Sequence, residues 1–106
     1  MRTPKSPPEL GPSGGALWRR VVRDFELRDD ELELLKRAGL ALDRADAARA
    51  AVARDGAYIP GRFGTKAHPG LSAERSDVLI FARMMRQLGL SDAVPTSERS
   101  RPRLVG

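Results

Sequence analysis

The sequence predicts a mainly α-helical protein: a small helical bundle around one long central helix, with a short β-hairpin or extended loop near residues 57–68. Residues 29–55 run DDELELLKRAGLALDRADAARAAVARD, with no proline and a single interior glycine, Gly39. Strong helix formers dominate that stretch. Two shorter amphipathic segments flank it, and glycine and proline concentrate between it and the second of them. Apolar spacing of 3 and 4 marks the helices, and the glycine–proline cluster marks the turn.

The chain has 106 residues, enough for one domain at most. Residues 1–12, MRTPKSPPELGP, hold four prolines and no periodicity, and are expected to form a disordered arm. Residues 13–90 are expected to form the helical domain, and residues 91–106 a flexible basic tail. Arg2 and Lys5 are followed by no apolar run of the kind a signal peptide needs. No segment has the length and apolarity of a membrane span. Cysteine is absent, which excludes disulfides and thiolate metal sites.

Taken in order, Ser13 is a candidate N-cap for a first helix, although Gly14 and Gly15 weaken its first turn. Leu17, Trp18, Val21, Val22 and Phe25 share one face of that helix, and the only Trp makes it the anchor of the core. Arg19, Arg20 and Arg23 share the opposite face. They read either as a solvated surface or as a phosphate-contacting ridge. Asp29, Asp30, Glu31 and Glu33 crowd the start of the long helix and suit its dipole; Asp30 with Glu33 has capping-box spacing. Leu34, Ala38, Ala41, Ala45, Ala48 and Val52 then recur at spacings of 4, 3, 4, 3 and 4, a heptad-like seam. Leu35 and Leu42 widen this stripe, and Arg49 interrupts it. Arg49 either snorkels to water or meets an acid, on Asp46 or on a partner. Asp43 and Asp46 read as surface charge. Gly39 marks either a close backbone contact or a break.

Gly56 is placed to stop the long helix. Tyr58 and Ile59 then suggest a strand, Gly61 to Gly64 a turn, and Phe63 to Ala67 a returning strand. His68 is pushed to an extended conformation by Pro69. Ser72 is the expected cap of the last helix, whose stripe is Val78, Phe81, Ala82, Met85 and Leu88. Gly89 and Leu90 fit a Schellman stop.

Chemistry-bearing constellations are few. A single His and no Cys rule out the common zinc sites. His68 has no nucleophile motif near it, and Gly56 to Gly61 has the glycine spacing of a phosphate loop without its Lys and Ser/Thr. No catalytic group, metal or cofactor is expected. Residues 61–64 match the G-x-x-G that clamps nucleic-acid backbones in some domains, but here the motif follows a helix within a turn. Charge is more informative. Residues 29–56 hold seven acids and five bases, and the rest of the chain holds fourteen bases and seven acids, for a net charge of +5. Basic flanks suit a polyanion such as nucleic acid, or serve solubility. An acid-free loop with Arg62 and Lys66 around Phe63 suits a phosphate backbone or a stacked base.

The order of these elements resembles the small subunit of phage terminase, in the family typical of long-tailed phages. The residues that carry the resemblance are GGALWRRVVRDFEL at 14–27, the acid-started helix with LDRADAARA at 42–50, the G-x-x-G loop running into AHPGL at 67–71, QLGL at 87–90 and SERSRPRL at 97–104. The tail departs from the family pattern: Asp92 to Thr96 lengthen a run that is usually compact. The resemblance implies a non-enzymatic DNA-packaging factor in the cytoplasm of a bacterial host. Such a factor forms a homo-oligomeric ring, binds double-stranded viral DNA and engages the large terminase subunit, which holds the ATPase and the nuclease. On that reading Arg19, Arg20, Arg23, Arg62, Lys66, Arg99, Arg101 and Arg103 contact DNA. Leu34, Ala38, Ala41, Ala45, Ala48, Arg49 and Val52 then meet a neighbouring subunit where the first and third helices leave them uncovered. The alternatives are a small helical DNA-binding regulator, dimeric, and a structural module that binds no DNA.

Overall fold

The computed structural model describes residues 3–90 and 103–105. Three helices, α1 (Pro12–Asp24), α2 (Asp29–Asp55) and α3 (Pro69–Gln87), are joined by short strands β1 (Phe25–Glu26), β2 (Tyr58–Gly61) and β3 (Gly64–Ala67), and β4 (Arg103–Leu104) follows. The strands form two antiparallel ribbons, β1–β4 and β2–β3. The helical architecture, the long central helix and the hairpin match the sequence reading. At about 1.5 Å per residue α2 alone is about 40 Å long. It sets the long dimension of a 57 × 30 × 17 Å molecule. The radius of gyration, 16.6 Å, exceeds the ~13 Å of a compact chain this size.

The core lies on the N-terminal half of α2, where all three helices meet. Leu17, Trp18, Val21 and Val22 of α1 pack with Leu35 and Ala38 of α2 and with Leu88 at the end of α3. Leu35 and Leu88 are wholly buried. The Trp18 indole N–H donates to the Pro4 carbonyl at 3.1 Å, so the most buried aromatic keeps its polar atom satisfied. That bond also ties the described part of the N-terminal arm to α1. Residues 3–12 lie against the helices: Glu9 pairs with Lys36 at 2.6 Å, and Leu10 packs on the core. Pro4, Pro7 and Pro8 keep the chain before Pro12 out of a helix but do not prevent docking.

The ends of the helices differ from the sequence reading in informative ways. Helix α1 starts one residue before Ser13, with Pro12 at its first position and Gly11 as N-cap. Gly11 has no side chain to cap with, and α2 supplies the acceptor instead. The Asp43 carboxylate accepts from the Gly11 N–H at 2.6 Å and from the Gly14 N–H at 2.8 Å. The Ser13 hydroxyl donates to Asp46. Asp43 and Asp46, read as surface charge, therefore cap a neighbouring helix and face the positive end of its dipole. The approach is close because glycine meets glycine: a Cβ at Gly14 would stand 2.6 Å from the Gly39 carbonyl oxygen. Of the two readings of Gly39, close backbone contact holds and α2 runs unbroken.

Helix α2 is capped differently from the predicted Asp30–Glu33 pair. The Arg28 N–H donates to Glu31 Oε1 at 2.8 Å. This is half of a capping box, since a guanidinium has no acceptor to complete it. Glu31 is the one buried charged side chain among the described residues. Asp30 pairs with the Arg28 guanidinium at 3.1 Å, which holds its carboxyl below the ordinary value. Helix α3 begins at Pro69 with His68 as cap, not at Ser72. Its stop is the expected Schellman motif. The Leu90 N–H reaches the Met85 carbonyl and the Gly89 N–H reaches the Arg86 carbonyl, both at 3.0 Å, while Gly89 takes a φ of 76°.

Candidate nucleic-acid interface

The candidate site starts at the end of α2. Gly56, at φ 90°, turns the chain out of the helix, and its N–H closes the last turn on the Val52 carbonyl. Strands β2 and β3 then pair from Tyr58 with Ala67 to Gly61 with Gly64. Only Arg62 and Phe63 lie between the last pair. Neither has positive φ, so the mirror-image turns usual in two-residue hairpins are not used; Gly64, at φ 111°, absorbs the reversal. A Cβ at Gly61 would meet the Lys66 stem at 3.1 Å, so the lysine lies over that glycine.

His68 fixes the base of the ribbon. Its N–H donates to the Ala57 carbonyl at 2.8 Å. Its ring Nδ1 accepts from the Gly70 N–H at 2.8 Å, and Nε2 lies 3.0 Å from Asp55 Oδ2. An accepting Nδ1 requires the tautomer with the proton on Nε2, which then donates to Asp55. Arg54 first, and His68 second, hold the Asp55 carboxyl down at about 2. One histidine thus ties the end of α2, the ribbon and the start of α3 together. Sequence reasoning read it as an extended residue, which it is, but missed the clamp. The signal was Asp55 and Gly70 on either side of it, which only acquires meaning once the hairpin closes.

At the tip Phe63 is 96% exposed. Full burial of such a side chain contributes roughly 1.5–3 kcal/mol, none of which is realised here. The Arg62 guanidinium sits 5.5 Å from the ring centroid, within cation–π range. Tyr58 is exposed too. The chain has no acid between Asp55 and Glu74. Among the described residues neither Arg62 nor Lys66 has an ion-pair partner.

The remaining predicted DNA contacts lie elsewhere. Arg19, Arg20 and Arg23 are all exposed on the outer side of α1. Arg23 pairs with Asp24 at 3.2 Å, with both side chains about half or more exposed, and such surface pairs contribute little. β4 pairs Phe25 with Leu104 and Glu26 with Arg103, just before α2 begins. Of the expected flexible basic tail, residues 91–106, only 103–105 are among the described residues, and the backbone at 103–104 is held in this ribbon. Arg99 and Arg101 lie outside the described residues, as do 91–102 in general. The two ribbons flank α2 at opposite ends, so the predicted basic residues fall into at least two separate groups. A third was missed. Arg75, Arg83 and Arg86 are exposed on α3 around Leu79, which is 62% exposed. Helical spacing places these four along one stripe. An apolar-first reading of that helix passed over them.

The seam proposed for a neighbouring subunit is partly taken up by the chain itself. Ala38, Ala41 and Ala45 are buried beneath α1 and α3 and present nothing to a partner. Leu34, Ala48 and Val52 are half-buried. Gly70 sits on the latter two, where a Cβ would meet Val52 at 2.9 Å and the Ala48 carbonyl at 3.0 Å. Arg49 is exposed and meets acids of its own chain, Glu74 at 2.9 Å and Asp46 at 3.8 Å. Glu74 raises the Arg49 guanidinium above its ordinary value. Arg44 pairs across the same two helices with Asp77, at 3.3 Å. The two pairs join residues in reverse order along the helices, as the antiparallel packing of α3 on α2 requires. The α3 stripe is less buried than its spacing predicts: Leu88 is inside, but Val78 is 43% exposed.

Among the described residues, no three His or acidic groups converge as a metal site would require. No described helix is long and apolar enough to cross a membrane. No family model matches the chain, and no curated protein or solved structure is significantly similar to it.

Proposed function

We propose that this chain is a non-enzymatic DNA-packaging factor, of the kind the resemblance to terminase small subunits implies. It binds double-stranded viral DNA as a homo-oligomer in the bacterial host and passes it to a large ATPase–nuclease subunit. The observation that carries the reading is the β2–β3 ribbon. It is a protruding, acid-free element whose Arg62 and Lys66 have no ion-pair partner among the described residues and whose tip is an exposed aromatic. Cations not already neutralised within the chain are the ones free to displace counterions from phosphates. The exposed ridge of Arg19, Arg20 and Arg23 adds a second basic surface.

Self-association is supported by the outer side of α3. Val78, Leu79 and Ile80 are 43%, 62% and 37% exposed; as consecutive helical residues they point about 100° apart, so they offer a protein partner separate apolar footholds rather than one face. On this reading a neighbouring subunit meets these footholds together with the half-covered Leu34, Ala48 and Val52, rather than the buried alanines of the seam.

Two measurements test the proposal together. The logarithm of DNA affinity should fall linearly with the logarithm of salt concentration, with a slope of about −0.9 per phosphate neutralised. Native mass should give a closed assembly larger than a dimer. A stable monomer, or affinity indifferent to salt, overturns the packaging role. A dimer with a short two-fold footprint would instead fit the small DNA-binding regulator.

A further inference from the structure

We propose that the β2–β3 ribbon is a wedge for duplex DNA. Phe63 enters between adjacent base pairs from the minor groove, while Arg62 and Lys66 hold the flanking phosphates. This rests on the nucleic-acid reading above and adds a mechanical act to it: local unstacking and bending of the duplex.

The first argument is the position of the ring. Phe63 is 96% exposed and is one of only two residues that close the turn. A lone aromatic at the end of a narrow protrusion has the geometry of a wedge. Single strands are held differently, by successive aromatics along a groove, and the next aromatic on this ribbon, Tyr58, lies at its base. Apolar side chains that enter the minor groove partly unstack a base step and kink the duplex.

The second argument is stiffness. A wedge must keep its shape while it parts two base pairs. The ladder pairs every residue of β2 with one of β3. Its base is closed by the His68 N–H on Ala57 and by the His68 ring between Asp55 and Gly70. Little freedom is left to lose on binding.

The third is the distribution of charge. No carboxylate lies between Asp55 and Glu74 to repel phosphates. Asp55 itself is engaged by Arg54 and His68. Arg62 already stands beside the ring, at 5.5 Å from its centroid. In that position it can turn from the ring face to a phosphate as the ring enters the stack.

The expected target is therefore a step that unstacks easily, since pyrimidine–purine steps yield most readily to kinking. The test uses the full chain and duplexes carrying 2-aminopurine at a TA or CA step, with end-labelled duplexes to read the bend by energy transfer. The wild-type protein should raise the 2-aminopurine fluorescence and bend the duplex. Phe63→Ala should abolish both signals and lower affinity for the flexible-step duplex about tenfold, the scale of one lost stacking contact. Its salt slope should be unchanged, because no cation is removed. Arg62→Ala should instead reduce that slope by about one. Phe63 is exposed, so the circular dichroism of Phe63→Ala should match the wild type and separate this loss from misfolding.

Bending and unstacking that survive Phe63→Ala overturn the wedge. Salt-dependent binding by the wild type with no bend and no fluorescence change also overturns it, while leaving the DNA reading intact. No binding by the wild type overturns both. If Phe63→Ala lowers the native mass of the assembly, the ring is a contact with a second copy of this chain and the wedge is wrong.

Discussion

Gly14→Ala should destabilise this protein, although the same change strengthens an ordinary helix. Alanine is favoured over glycine in a helix interior by about 1 kcal/mol. Here the added Cβ would stand 2.6 Å from the Gly39 carbonyl oxygen, where ordinary contact begins at 3.4 Å. That neighbour is backbone in the middle of α2 and cannot rotate away. Helix α1 must instead withdraw by about 0.8 Å, at a cost of roughly 1–3 kcal/mol for overpacking. The withdrawal also stretches the two bonds from Gly11 and Gly14 to Asp43. Bonds to a charged acceptor contribute about 1.5–3 kcal/mol each, so even partial loss adds to the deficit. The net effect should be a loss of about 2 kcal/mol or more.

Gly15 provides the control. A Cβ there meets only the Arg19 guanidinium at 3.2 Å and the Ser6 hydroxyl at 3.7 Å. Both are ends of side chains that can move, so Gly15→Ala should be neutral or should gain up to about 1 kcal/mol. Urea unfolding followed by Trp18 fluorescence and by helical circular dichroism measures both variants. Protein concentration must be held fixed, because self-association would shift apparent stability. Adjacent glycines should therefore give opposite signs. If Gly14→Ala unfolds at or above the wild-type midpoint, the tight α1–α2 crossing is wrong.

Three further outcomes are expected. Asp43→Ala should cost about 1–3 kcal/mol in the same urea titration, and Asp46→Ala clearly less, since it loses one hydroxyl hydrogen bond and a weak, exposed ion pair with Arg49; equal effects would contradict capping by Asp43. The Asp55 carboxyl is held at about 2 against an ordinary 3.8. A lowered folded value contributes stability that is complete above about 4 and lost as pH falls toward about 2. Amide protection at the base of the ribbon, taken relative to the intrinsic exchange rate at each pH, should fall through that window, and Asp55→Asn should remove the dependence. Finally, a double-mutant cycle on Arg49 and Glu74 should give about 1 kcal/mol or less, because Arg49 is 63% exposed in its pair. A larger coupling would mean that this surface is covered by a partner.

Much of the fold was legible because periodicity and breakers act locally. The long helix, the hairpin and the Schellman stop at Leu90 each follow from residues close in sequence. The apolar face of α1 was equally plain, since Leu17, Trp18, Val21 and Val22 leave one possible side to bury. Of the candidate interface, Arg62, Phe63 and Lys66 could be named in advance because the loop around them contains no acid. Their separation from the basic residues of α1 could not, because it depends on which end of α2 each segment occupies. The stripe of Arg75, Arg83 and Arg86 was present in the sequence but lay behind the apolar spacing of α3.

The sequence by itself determined what each stretch can form: where helix propensity persists, where glycine and proline end it, and where charge is unbalanced. Only the tertiary structure decided how the helix ends are satisfied. Gly11 offers no cap, and nothing local marks Asp43, 32 residues away, as its acceptor. The cap exists because Gly14 and Gly39 let two backbones touch. Likewise, the alanine seam announces close packing but not its occupant. α1 and α3 take Ala38, Ala41 and Ala45, and leave Val78, Leu79 and Ile80 outside. A hydrogen-bond acceptor or an apolar stripe constrains what must be met, and the partner that meets it is fixed by the whole chain at once.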